Sequence, residues 1–497
     1  MALKKLAGQT AVYGLSSIVG RMLNYLLVPL YTRIFSPAEY GVVSEMYAYV
    51  TFFMVIYTYG METAYFHFTQ KNKLDSNSWT NDQVYGNGLF SLFSSSVLFS
   101  GLLLLFSQNI ATQLGYPNHA DYIKWFAWIL ALDAITALPF ARLRKEGKAK
   151  RFAIIKLIGI ILNISLNIFF LVICRENYLH HTKSIFNFYK PEYGVGYVFI
   201  SNLISSFVTV LLLLPEFKTV RFKYNGKLLK EMLFYSFPLL IAGFAGMINE
   251  TLDRAVLKYL VPDRNTALQQ LGIYSACYKL SILMTLFVQT FRYAAEPFFF
   301  SQQHKENSSE LYARVMNYFV IACSIIFLVV MLYLDGIKYF IGSQYHSGLK
   351  VVPVLLVANM CLGVYLNMSI WYKLTGQTRY GAFFSVIGAI ITIVFLFLLI
   401  PPMGYMGAAW ATLICYASMM LISYFTGQKV YPIPYQVSKL FLYFGVALLI
   451  YFFSEAMHLA FGFSDIIRFS INTVLLLFYT GWVYRKEKVK ATNLQVQ

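Results

Sequence analysis

Apolar residues run along this chain in long blocks, and short polar clusters separate them. The blocks fall near 9–35, 39–68, 86–108, 119–141, 152–174, 193–214, 231–260, 272–300, 314–335, 351–373, 381–400, 406–426, 439–459 and 467–484. A helix needs roughly 20 residues, at about 1.5 Å each, to cross a hydrocarbon core of about 30 Å, and these blocks have that length. The pattern predicts an all-α, polytopic membrane protein with about 14 transmembrane helices. The first block is too long for a signal-peptide core and has no small-residue cleavage site behind it, so it counts as a span.

The pattern also repeats. YGVVS at Tyr40–Ser44, opening the second span, is echoed by LGIYS at Leu271–Ser275, opening the eighth. EGKAK at Glu146–Lys150 is echoed by TGQTR at Thr375–Arg379, and GVG at Gly194–Gly196 by GYMG at Gly404–Gly407. A repeat of six spans is even, so both copies point the same way and are related about the membrane normal. The expectation is two pseudo-symmetric six-helix lobes, at 1–215 and 231–427, joined by a linker at 216–230 and separated by a cleft between spans one and seven. Two further helices follow within 439–484, then a tail at 485–497.

Composition agrees. Of 497 residues, 58% are hydrophobic and 12% charged, against a charged share of about a quarter in soluble domains. The net charge of +18 is concentrated on one side: Lys4 and Lys5, Lys71 and Lys73, the run at 142–151, Lys218 to Lys230, and Arg485 to Lys490. Basic loops stay inside, so both termini are expected in the cytoplasm, with RLRKEGKAKR at 142–151 a topology anchor. Attraction to anionic lipid completes the account of the charge and leaves no need for a nucleic acid. Cys174, Cys277, Cys323, Cys361 and Cys415 all fall in apolar segments and read as small core residues. No GxxxxGK[ST], HExxH or DxD occurs, and no connection exceeds about twenty residues. The reading is therefore neither ATPase, metalloprotease nor sugar-nucleotide transferase, and it calls for no cofactor or metal. Whatever the protein does, the helical bundle must do.

Buried charge is where function should show. Ser236–Val261 is long enough to span, yet carries Glu250, Asp253 and Arg254 on one face of its second half. Each such charge costs about 2.5–3.5 kcal/mol at a helix centre, so this face needs a partner helix or a wet cavity. Pro238, Ala242, Gly243, Ala245 and Gly246 allow a bend and close packing nearby. Other spans hold Arg21, Lys156, Lys279 and Arg292, with the acids Glu45, Glu62, Asp133, Glu296 and Glu455. By depth, Lys156 and Arg292 lie toward the cytoplasm, Arg21 near the midplane, and Arg254 and Lys279 toward the outside. Two readings stay open for the i,i+4 pairs Glu250–Arg254 and Arg292–Glu296, which could simply neutralise each other. Lys156 could snorkel to the interface. Arg21 has no acid within a helical turn and shares its face with Gly14, Ser17 and Asn24. Asp133 or Glu62 is either a proton-coupling acid or a neutralised structural carboxyl.

At these residues the chain resembles a known family. The opening LAGQTAVYGLSSIVGRMLNYLLVPLYTRIFSPAEYGVVS, then SFPLLIAGFAGMINETLDRAVLKYL, GIYSACYKLS and the PFFF at 297–300 are similar to the Wzx-type polysaccharide-biosynthesis branch of the MOP flippase superfamily. The superfamily also includes MATE drug exporters and MurJ-type lipid II flippases. The resemblance covers roughly residues 5–430 and implies alternating access between two six-helix lobes. The implied cargo is an undecaprenyl-diphosphate-linked oligosaccharide, moved from the inner to the outer leaflet of the bacterial cytoplasmic membrane for O-antigen or capsule assembly. It implies as partners that lipid-linked substrate, membrane lipids, and glycan polymerase and assembly proteins. It places Arg21 and Arg254 where basic cavity residues meet the diphosphate, with Lys156, Lys279 and Arg292 as further candidates. Asn24, Glu62, Asp133, Glu250, Asp253 and Glu296 are the candidate polar or coupling residues. A diphosphate carries about two negative charges, which a guanidinium binds bidentately. Outward movement through an inside-negative potential releases about 2.3 kcal/mol per charge per 100 mV, which could drive export without ATP. The rival readings are a MATE-type exporter of organic cations, favoured by the acids, and a membrane-embedded glycan polymerase or ligase, which would need a larger outward loop.

Overall fold

Two of the long helices start at a capping box written locally in the sequence. Ser36 caps the helix that begins at Pro37: the backbone N–H of Glu39 donates to Ser36 Oγ, and the Ser36 N–H and hydroxyl both donate to Glu39 Oε2 at 2.8 Å. Pro37 fills the first helical position, where a missing N–H costs nothing. The FSPAEYG motif is thus a capping box. Thr80 and Gln83 build the same device at the next long helix.

The computed structural model describes residues 19–20, 22–74, 79–179, 189–218, 223–302 and 307–495. Arg21 and most of the first span lie outside the described residues. Those described are helical throughout, without a strand. They divide into two units, 1–255 and 256–497. The first holds α1 (Leu27–Ile34), α2 (Pro37–Thr58), α3 (Met61–Leu74), α4 (Asn81–Leu105), α5 (Ala120–Lys145), α6 (Ala149–Ile168), α7 (Gly196–Leu212) and all but the last turn of α8 (Gly226–Leu260). The second holds α9 (Arg264–Leu280), α10 (Ile282–Gln302), α11 (Ser308–Leu332), α12 (Val352–Met368), α13 (Arg379–Met403), α14 (Tyr405–Val430), α15 (Val437–Phe461) and α16 (Asp465–Gln495).

Among the described residues eleven helices are long and apolar enough to cross a membrane, or twelve if α9 and α10, bent by 52°, form one span. The protein is a multi-pass membrane protein. The count of fourteen is not reproduced on this criterion, for identifiable reasons. The sixth predicted span is the shorter α7, the eighth is the bent pair, and the first is largely outside the described residues. The second span is broken where Tyr59 (φ 33°) and Gly60 (φ 75°) adopt left-handed backbone between α2 and α3. Leu239 lies so close to Gly60 that an added β-carbon would sit 2.9 Å from its Cβ. Beyond that break α3 is firmly seated: Met61, Ala64, Tyr65 and Phe68 are buried against Tyr85, Leu138, Leu228 and Met232 of α4, α5 and α8.

The echoed motifs share backbone geometry. Gly147 and Gly376 end helices at φ 69° and 72°, and Gly194 and Gly404 begin the next at φ 47° and 57°. Both pairs occupy positions where an L side chain would be strained, which is why glycine recurs. In the second unit, α15 and α16 pack on α11 through Tyr443, Ala447, Tyr479, Leu328 and Leu332. All five cysteines are buried free thiols, as their apolar surroundings predicted.

Candidate functional site

In the first unit, α2, α3, α5, α6 and α7 enclose a cavity of about 480 Å³, open on one side. Four residues singled out from the sequence line it: Asn24, Glu62, Asp133 and Lys156. Sequence reasoning missed Arg144, Asn163, Asn202, Ser205, Ser206 and Thr209, which complete its polar wall.

Each is held by the local fold. Pro139 within α5 removes a backbone N–H beside the cavity residues Thr136, Ala137 and Phe140. Asp133 of α5 and Ser206 of α7 both line the cavity. Ser205 Oγ donates to the Gly159 carbonyl at 2.7 Å, fastening α7 to α6, where a β-carbon on Gly159 would come within 2.9 Å of Thr209 Oγ1. Asn202 Nδ2 donates to the Tyr47 phenol at 3.2 Å, and Asn167 links Tyr31 of α1 to Asn163.

The charges are arranged in detail. Lys156 places its ammonium 4.1 Å from the ring centre of Phe140, a cation–π contact within the cavity wall. The residue is exposed and lines the cavity. Arg144 Nη2 meets Glu62 Oε1 at 2.5 Å, and its guanidinium lies over Phe66 and Phe152. The rest of the basic run is mostly structural. Arg142 pairs with Glu146 at 2.7 Å, Arg151 with Glu216 at 3.1 Å, and Lys145 bonds Asn81. At the Glu146 carboxyl, burial pushes upward, but hydrogen bonds from Lys148 and Arg142 and their charges prevail and hold it below its ordinary value.

The other candidates lie elsewhere. On α8, Arg254 sits 3.7 Å from the Asp253 carboxylate and donates to the Glu250 backbone carbonyl at 2.5 Å. Its ion pair is thus with its buried neighbour Asp253 rather than the i,i+4 arrangement with the Glu250 carboxylate. Close by in the same unit, Glu45 is fully buried and receives the phenols of Tyr49 and Tyr116. In the second unit, Glu296 is ion-paired with Lys373, so its partner is not Arg292 one turn away. Arg292, Glu296 and Asn367 line a void of about 10 Å³, room for about one water. Lys279 is half-buried near the end of α9. Among the described residues, no group of His, Cys, Asp and Glu could hold a metal ion.

Residues 6–303, well over half the chain, match the family described as polysaccharide biosynthesis protein. The chain belongs to that family. Its fold is that of the MOP-superfamily transporters. The lipid II flippase MurJ in an inward closed conformation is similar over 95% of this chain and 98% of its own, with TM-score 0.69 and 13% identity. An inward-facing multidrug-resistance MATE family transporter of the MOP superfamily is similar over 82% of this chain and 93% of its own, with TM-score 0.66 and 13% identity. A MATE structure in the straight conformation follows at TM-score 0.60 and 14% identity, over 86% of this chain and 95% of its own. At these identities the likeness is one of fold. No curated protein matches in sequence.

Proposed function

We propose that this polysaccharide biosynthesis protein is a Wzx-type flippase that carries an undecaprenyl-diphosphate-linked oligosaccharide across the bacterial cytoplasmic membrane by alternating access, without enzymatic chemistry. The observation that supports it most is the cavity in the first unit. Amide and hydroxyl side chains of Asn24, Asn163, Asn202, Ser205 and Thr209 suit sugar hydroxyls, and Lys156 and Arg144 offer positive charge to an anionic linker. Fixed groups of this kind are costly in a span and are retained where a polar cargo passes. Arg21, Arg254, Lys279 and Arg292 remain proposed diphosphate contacts along the route, and Asp133 a proposed coupling acid.

The test measures glycan export and membrane abundance together. Lys156→Gln should lower export about tenfold or more at normal abundance, since one charge-assisted hydrogen bond is worth about 1.5–3 kcal/mol. Arg21→Lys should impair export and Arg21→Ala abolish it, because an ammonium keeps the charge but loses the bidentate fork. Full export by abundant Lys156→Gln and Arg21→Ala would remove the reading. The second reading, export of organic cations, is favoured by the two acids in the same cavity. It requires that Asp133→Asn abolish efflux of a cationic dye by the purified, reconstituted protein.

A further inference from the structure

The cavity poses a question of charge. Among the described residues its lining contains two cations, Lys156 and Arg144, and two acids, Glu62 and Asp133, so these four charges balance. The two acids differ in how they are held. Asp133 lies beside Ser206 of the neighbouring helix in the cavity wall. Glu62 makes its ion pair with Arg144 itself, at 2.5 Å, and its side chain remains 39% exposed.

We propose that the Arg144 guanidinium is an exchangeable anion site: Glu62 occupies it in the state seen here, and a phosphate-class anion entering the cavity displaces the Glu62 carboxylate and takes its place, with Lys156 as the second cation. The proposal rests on the flippase reading for the source of that anion, a lipid-linked diphosphate, but its geometry does not. Several observations carry it. A guanidinium has five N–H donors, and Glu62 engages only part of them. Arg144 Nε is buried with no hydrogen-bond partner among the described residues. The guanidinium lies 5.5 Å from the Phe66 ring centre and 5.9 Å from that of Phe152, and neither contact depends on Glu62. The exchange also needs no helix to move. The α3 backbone is anchored by Met61, Ala64 and Tyr65 in the core, so Glu62 yields by rotating its own side chain toward the open mouth. When it does, the acid that balanced Arg144 is gone, and the cavity becomes attractive to a dianion only while one is present.

Glu62 is therefore a competitor for the site, and its removal should improve binding, an effect that a purely structural carboxylate would not give. The full-length protein in nanodiscs is titrated with inorganic pyrophosphate by phosphorus NMR line broadening, and separately with farnesyl diphosphate. Glu62→Gln should bind both about fivefold more tightly than the unsubstituted protein, the upper range for a partly exposed ion pair. Arg144→Gln should weaken both about tenfold, and Lys156→Gln by a similar factor. The charge-exchanged Glu62→Arg/Arg144→Glu protein keeps the pair and controls for folding; its affinity should fall, because the guanidinium no longer has its contacts with Phe66 and Phe152. Equal or weaker binding by folded Glu62→Gln, or unchanged binding by Arg144→Gln, overturns the proposal. Tighter binding of farnesyl diphosphate than of pyrophosphate supports a lipid-borne source, and the reverse order overturns it in favour of a free phosphate compound. If the binding pattern holds while Arg144→Gln exports glycan normally, the anion site stands and the flippase reading of the cavity fails.

Discussion

Single residues divide into those whose chemistry their position reveals and those that need the fold. Lys156, Glu62, Asp133 and Asn24 stand out as polar groups inside apolar blocks, and the fold gathers them around one cavity. Arg144 was hidden because it lies in a run of basic residues, where topology explains every charge equally well. A signal for others was present: Asn202, Ser205, Ser206 and Thr209 recur at i, i+3, i+4 and i+7 along α7, a polar stripe on an otherwise apolar helix. Buried charge also serves stability, as Arg468 shows. Its guanidinium pairs with Asp335 and with Glu455 at 2.8 Å, joining α15 and α16 to the segment after α11. At Asp335, outside the spans, burial alone would raise the carboxyl; the Lys338 hydrogen bond and the Arg468 and Lys338 charges outweigh it, aided by His458, and hold it below its ordinary value. A depressed carboxyl stabilises the fold above its unfolded value, near 3.9, and that contribution is lost as pH falls through the folded value. Thermal unfolding of the purified protein should therefore weaken below about pH 4. Asp335→Asn should lower stability at pH 7 and flatten the acid decline. An unchanged acid decline in Asp335→Asn would assign it to other carboxylates.

Helices were the most legible scale and their interruptions the least. Ser36 and Pro37 mark where α2 begins, whereas α4 begins at Asn81, five residues before the apolar block at 86–108. The break at Tyr59–Gly60 carries no proline and falls within a continuous apolar block, so hydropathy passes over it. The bend between α9 and α10 is likewise marked only by Ser281. Glycines show the repeat better than side chains do, because the equivalent turns at Gly147 and Gly376 need the same positive φ. Close approach can be as demanding. A β-carbon on Gly407 would lie 2.1 Å from the Leu399 carbonyl oxygen and 2.4 Å from its carbon, where α14 turns against α13. Backbone cannot rotate aside as a side chain does, so Gly407→Ala should cost about 3 kcal/mol, the upper end of overpacking. Gly445→Ala is the control. Its β-carbon meets nothing within 4 Å, and alanine favours the helix by about 0.5–1 kcal/mol. Thermal melting of both purified variants in one detergent should separate them in opposite directions. Equal melting temperatures would show that the α13–α14 turn relaxes around the added methyl.

At the scale of the molecule, family and fold follow from pattern, whereas orientation in the membrane rests on charge alone. Residues 142–151 and 216–230 are the densest basic connections between spans, and the positive-inside rule puts them in the cytoplasm. The fold gives the first a second role. Arg142 and Arg151 both reach Glu216, through its carbonyl and its carboxylate respectively, so the two connections are bound to each other on one side of the first unit. That contact requires them to share a side whichever side it is. Single cysteines at Lys148 and Lys227, both exposed, should therefore react alike with an impermeant maleimide. The native thiols are buried and should give little background. In intact cells neither position should label, and in everted vesicles both should. Labelling of both in intact cells would reverse the orientation but keep the contact. Labelling of one without the other would contradict the Glu216 contacts, and with them the local geometry that carries Arg144 to the cavity.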